Sequence, residues 1–171
     1  MKKLKLLLII SVLSIGFNLK SFAQETKTLP EITVSSSNYK YLNSMGDESV
    51  AQPVNMLQMR AATYDVKKSD FYEEDYDTYF VSFFIPDGKI LAEYDKDGKI
   101  IRTTEKFKNI ALPKDVAKSV TERFPHWAIP KNVYYVHYSD AYGGKKMYKI
   151  TLENGDKRMK VKTDENGNFL K

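Results

Sequence analysis

The 171-residue chain carries a formal net charge of +5, with 42% hydrophobic residues, twelve tyrosines, nine phenylalanines and no cysteine. This composition excludes a disordered chain and a disulfide-stapled fold, so stability must come from a packed core. The basic charge does not argue for nucleic acid: four lysines (Lys2, Lys3, Lys5, Lys20) lie in a leader with the marks of a cleaved signal, and without them the balance is about +1.

That leader opens on Met1-Lys2-Lys3-Leu4-Lys5, runs apolar from Leu6 to Leu13 and closes on Ser21-Phe22-Ala23. A basic start, a short apolar run and small residues before a cut predict a signal peptide over residues 1–23, cleaved after Ala23. The apolar run falls short of the roughly 20 residues a bilayer span needs, and no cysteine follows it to take a lipid. The expected product is a soluble periplasmic or secreted protein with no membrane span in its mature form. Residues 24–47 read as a polar linker, with one β-prone stretch at Ile32-Thr33-Val34 that could add an edge strand, before the loop chemistry of Ser35-Ser36-Ser37-Asn38.

The first predicted helix begins near Pro53, with Val54, Leu57, Ala61 and Tyr64 at helical spacing; proline suits a first turn because its missing N–H has no partner there. An acidic, tyrosine-laced stretch follows, Phe71-Tyr72-Glu73-Glu74-Asp75-Tyr76-Asp77. Strands are predicted over 79–85, 89–94 and 99–107, separated by Pro86-Asp87-Gly88 and Asp95-Lys96-Asp97-Gly98, where aspartate and glycine tolerate tight-turn geometry. A second helix opens at Pro113, runs through Val116, Ala117, Val120 and Phe124, and stops at Pro125. Both helices are too short to stand alone in water, so each must lie on a sheet. Further strands are predicted over 133–138, 147–152 and 157–163, with turns at Glu153-Asn154-Gly155 and Asp164-Glu165-Asn166-Gly167 and a short end at Asn168-Phe169-Leu170.

The two halves look like an internal repeat. Asp87-Gly88 aligns with Asn154-Gly155, and Asp95-Lys96-Asp97-Gly98-Lys99-Ile100 aligns with Asp164-Glu165-Asn166-Gly167-Asn168-Phe169. The expected fold class is α+β: two tandem helix-plus-antiparallel-hairpin units, about 48–108 and 109–171, with the helices on one face of an antiparallel sheet. The alternation of Arg158, Lys160 and Lys162 with Met159 and Val161 predicts that the other face is wet. Charge is also uneven along the chain. Residues 63–97 hold ten acids against four bases, and residues 98–171 sixteen bases against eight acids. The halves either attract within the fold or present opposite faces to partners.

Phe83-Phe84-Ile85-Pro86-Asp87-Gly88-Lys89, Ala92-Glu93-Tyr94-Asp95, Leu112-Pro113, Phe124-Pro125 with Trp127, and Tyr148-Lys149-Ile150 resemble the PepSY-like, beta-lactamase-inhibitor-like family of exported bacterial proteins. The resemblance covers residues 53–170 and implies tandem helix-on-sheet units, a periplasmic or secreted location and a protein-binding, often inhibitory, role. It brings no catalytic residue.

Nothing in the sequence assembles an enzyme site or a cofactor site. His126 and His137 are the only histidines, and without cysteines a zinc site lacks ligands at suitable spacing. Asp95-Lys96-Asp97-Gly98 and Asp164-Glu165-Asn166-Gly167 echo the start of a calcium loop, but strand residues follow where the loop's later acid should stand. The glycines sit in hairpins rather than in a phosphate-cradling loop, and no Gly-x-Ser-x-Gly elbow is present. The leading reading is a non-enzymatic binding or regulatory module whose partner is another protein or an envelope component. The rivals are a small hydrolase or nucleotide-handling enzyme with an unrecognised site, and an envelope-stress protein that binds peptidoglycan or a protease. The candidate partner surface is Tyr72, Glu73, Glu74, Asp75, Tyr76 and Asp77, since tyrosine supplies rigid contact area and carboxylates steer a basic partner.

Overall fold

Short turns between β-rich segments dictate the architecture. In the computed structural model, which describes residues 38–46 and 50–171, six strands follow one another as a meander: β1 (Thr78–Ile85), β2 (Gly88–Asp95), β3 (Ile100–Lys108), β4 (Ala128–Ser139), β5 (Gly143–Asn154) and β6 (Lys157–Thr163). Each pairs antiparallel with its sequence neighbour, in the spatial order β1 to β6. Among the described residues three α-helices accompany the sheet in an α+β fold: α1 (Tyr39–Met45), α2 (Gln52–Ala62) and, between β3 and β4, α3 (Lys114–Arg123).

The predicted turns hold their strands by one device used twice. The Asp95 carboxylate accepts the backbone N–H groups of Asp97 and Lys99, and the Asp164 carboxylate accepts those of Asn166 and Asn168. Gly98 and Gly167 occupy the same place in the two turns, at φ +80° and +82°, where an L side chain is strained. In each Asp-anchored turn one carboxylate oxygen, Oδ1, takes both backbone groups. After the second turn, Phe169 bridges antiparallel to Thr163, so the expected short end forms a single bridge rather than a strand.

Strand alternation sorts the side chains onto two faces. Tyr79, Phe83, Ile90, Ala92, Tyr94, Thr103, Glu105, Phe107, Tyr134, Val136, Tyr138, Tyr148, Ile150 and Leu152 are buried on one of them. The register aligns Phe107 with Tyr134 and Tyr134 with Tyr148, and the last two rings stack at 4.5 Å. Buried tyrosine needs a partner for its hydroxyl. Tyr94 donates to the Ala61 carbonyl at 2.8 Å, which seats α2 on β2. Val54, Leu57 and Ala61 face the sheet as their spacing predicts, whereas Tyr64 lies past the helix end and packs edge-on against Phe83. On α3, Val116 and Val120 enter the same core.

Three elements differ from expectation. The strand predicted over 147–152 runs from Gly143 to Asn154 as β5, taking in residues 143–146 ahead of it. Residues 39–45, within the expected polar linker, form α1, with Tyr41 and Met45 buried. Asn38 is buried ahead of it: its Nδ2 donates to the Ala62 and Gly98 carbonyls and its Oδ1 accepts from Ile100 N–H. A segment that reads as loop by composition is folded here because tertiary hydrogen bonds, not helix propensity, hold it. β4 begins five residues before the predicted strand, with Pro130 absorbed at an irregularity between Ala128 and Lys131. The signal peptide, the cleavage point and the possible strand at Ile32-Thr33-Val34 lie outside the described residues.

Candidate functional site

Among the described residues nothing covers the opposite sheet face, and its side chains follow from the same register. Rows run Phe80, Glu93, Arg102, Ser139; then Ser82, Leu91, Thr104, His137, Lys145; then Phe84, Lys89, Lys106, Tyr135, Met147. Beyond these come Lys108, Val133, Lys149 and Lys162, then Lys131, Thr151 and Lys160, and finally Glu153 with Arg158. Among the described residues these rows hold ten cations and two carboxylates, and those two are taken: Glu93 pairs with Arg102 at 3.6 Å, and Glu153 accepts from Arg158 Nε at 2.6 Å. Lys89, Lys106, Lys108, Lys131, Lys145, Lys149, Lys160 and Lys162 make no ion pair among the described residues. Lys106 instead stands 5.8 Å from the centre of the Tyr135 ring, within cation–π reach.

This field is not uniform. A shallow depression at one end is lined by Lys131, Tyr135, Lys149, Thr151, Arg158 and Lys160. Towards β1 the face turns apolar: Phe80, Phe84 and Leu91 are 63%, 64% and 45% exposed. They are neighbours, because Leu91 stands opposite Ser82, between the two phenylalanines. An exposed apolar cluster rimmed by like charge is the composition of a contact surface rather than of an idle one.

The predicted partner stretch leads into β1, and the structure divides its labour. The aromatic residues pack against the fold, with Tyr76 and Phe71 still about half exposed. Tyr72 stacks on the buried Tyr79 ring at 5.2 Å, Tyr76 and Phe71 meet the same ring at 6.3 and 6.4 Å, and the Tyr79 hydroxyl donates to the Glu73 carbonyl. The carboxylates of Glu73, Glu74, Asp75 and Asp77 are exposed and unpaired among the described residues. Burial of Tyr79 and its neighbouring tyrosines raise its own pKa.

His137 lies exposed on the open face between Thr104 and Lys145, and His126 is exposed in the α3–β4 connection at φ +69°. Among the described residues no group of three histidines or acids is placed to hold a metal ion.

One polar cluster escaped the sequence reading. Glu105 is fully buried on the helix-covered face, where it accepts from Tyr41 Oη at 2.7 Å, Gln58 Nε2 at 2.8 Å and Thr103 Oγ1 at 2.8 Å. Burial raises its pKa against the lowering effect of these donors and of nearby Lys146, whose own partner is Glu165 at 2.9 Å. Burial and the adjacent carboxylate raise the Tyr41 pKa well above the ordinary phenol value. The knot joins α1, α2, β3 and β5. Its donors and acceptor are turned on one another, an arrangement that locks helices to sheet. The signal was present: Thr103, Glu105 and Phe107 share one parity, and Phe107 is core.

No known protein-family profile matches this sequence, and no curated protein matches it significantly.

Proposed function

We propose that this chain is an exported, non-enzymatic binding module of the PepSY-like kind, which regulates an acidic protein partner in the periplasm or outside the cell through its open sheet face. One observation carries the reading: among the described residues, eight lysines without ion pairs share the face that no helix covers with the exposed Phe80, Phe84 and Leu91 at its β1 end. Apolar anchors supply affinity at the centre of an interface, and a one-signed field supplies partner choice and association rate. A bare polyanion would use the lysines and leave the phenylalanines idle; an acidic protein surface uses both. The two tandem units belong to this reading, supported by the matched Asp95–Gly98 and Asp164–Gly167 turns.

Affinity capture from the native cell envelope tests it. The wild-type chain should retain an acidic protein that elutes as salt rises, since exposed charges are screened. Lys131→Glu/Lys149→Glu/Lys160→Glu should lose that protein without loss of thermal stability, and Phe84→Ser should weaken retention at every salt concentration. Retention unaffected by either change would refute the assignment. A nucleotide that raised the melting temperature by several degrees would point to the rival enzyme instead.

A further inference from the structure

We infer that a second copy of this chain pairs along β1, continuing the sheet across a two-fold axis. Among the described residues the sheet has two free edges, and they are built differently. β6 alternates Arg158, Lys160 and Lys162 with its apolar residues, and its end is covered by the Thr163–Phe169 bridge and by the Leu170 N–H, which donates to the Lys162 carbonyl at 2.9 Å. Charged side chains and a covering segment are the usual protection of an edge. β1 has neither. Its sequence, Thr-Tyr-Phe-Val-Ser-Phe-Phe-Ile, holds no charge and no proline, its register with β2 is unbroken from end to end, and among the described residues it pairs with β2 alone.

Two further features select a like copy as the occupant. The first is symmetry. Phe80 and Phe84 stand two residues either side of Ser82, all three exposed on the open face. Antiparallel pairing with Ser82 opposite Ser82 sets each Phe80 against Phe84 of the second copy, giving two cross-strand aromatic pairs. A two-fold axis normal to the sheet does this with the open faces of both copies on one side, and it is a closed, self-complementary contact.

The second is charge. Glu73, Glu74, Asp75 and Asp77 precede β1, while Lys89, Lys106 and Lys108, three cations against the single Asp87, line the depression at its far end beside Phe84 and Pro86. In an antiparallel pair the start of one strand lies beside the end of the other, so each acidic stretch comes to the lysine-rich corner of the other copy. A parallel pair would set acid beside acid and is disfavoured. The dimer stands whether or not the open face takes an acidic protein. It would join the two apolar clusters into one stripe between two basic fields.

Sedimentation equilibrium of the purified protein tests the pairing. Wild type is expected to pass from monomer to dimer as its concentration rises. Ser82→Lys places two ammonium groups across the axis on an exposed site, and should raise the dimer dissociation constant roughly tenfold with an unchanged circular dichroism spectrum. Glu73→Lys/Glu74→Lys/Asp75→Lys/Asp77→Lys and Lys89→Glu/Lys106→Glu/Lys108→Glu should each weaken self-association, and mixing the two variants should restore a heterodimer. A wild type that stays monomeric at every concentration overturns the inference. So does a dimer indifferent to Ser82→Lys, or charge-reversed variants that fail to combine.

Discussion

Removing the Glu105 side chain is the sharpest perturbation the fold offers. Glu105→Ala strips the acceptor from three donors (Tyr41 Oη, Gln58 Nε2 and Thr103 Oγ1) that are sealed from water. At about 1 kcal/mol for each lost bond, and about as much again for the cavity, the loss is about 4 kcal/mol. Glu105→Gln keeps the volume and an acceptor oxygen, and should cost less than about 1 kcal/mol near neutral pH. The two forms also differ in their response to pH. Burial raises the folded-state pKa of Glu105, so the unfolded chain ionises first as pH climbs and binds fewer protons through that window. Wild-type stability therefore falls, relative to Glu105→Gln, from the ordinary carboxyl range near about pH 4 up to the raised folded value; below the unfolded pKa the difference is flat. Urea unfolding followed by fluorescence of Trp127, the single tryptophan, at several pH values measures both quantities. A Gln variant as damaged as the Ala variant would refute the reasoning, as would a wild type that gains on Glu105→Gln with rising pH.

The matched turns predict matched costs. Asp95→Ala and Asp164→Ala each leave two backbone N–H groups without their acceptor and should each destabilise by about 1–2 kcal/mol, while added calcium leaves the wild-type melting temperature unmoved in a thermal scan. A Cβ placed on Gly144 would meet Met45 Cε at 2.6 Å and the Ser44 carbonyl at 3.2 Å. Gly144→Ala should therefore lift α1 off β5, and Met45→Ala in the same chain should recover part of the loss in a double-mutant cycle. Hydrogen bonds from Lys99 and Lys40 lower the Asp140 pKa, so that contribution is present above the unfolded carboxyl pKa and fades as pH falls through the folded one. Asp140→Asn should flatten this acid limb of the melting curve without changing stability at alkaline pH relative to neutral. Tyr79→Phe removes the hydroxyl that holds the Glu73 carbonyl, and limited proteolysis should then cut residues 73–77 faster.

The hairpins were legible because tight turns need particular residues. Asp87-Gly88, Asp95–Gly98 and Asn154-Gly155 mark three of the five connections between paired strands, and β6 matches its predicted bounds. The wet face was legible from the period-two lysines of β6. The helix α1 was not, because its stability resides in Asn38 and Tyr41 contacts with residues 60 or more positions away, Gly98, Ile100 and Glu105. Local pattern does not carry such information. The open-face site was half legible. Each strand shows its own basic residues, but which rows they share depends on register across five pairings. The acidic stretch stood out as one surface, yet its tyrosines also clasp Tyr79 while its carboxylates, with Tyr76, face solvent. Composition cannot separate those two duties.

The strict neighbour-to-neighbour order of the strands has a consequence for how the chain comes together. Every ladder joins segments that follow one another directly, so each strand has its template as soon as the previous one exists, and only α3 interrupts the sequence between β3 and β4. Such a layout closes small loops first and favours rapid acquisition of structure. A polypeptide threaded end-first through a narrow pore could lay down its sheet from β1 onward, with no early strand left waiting for a distant mate.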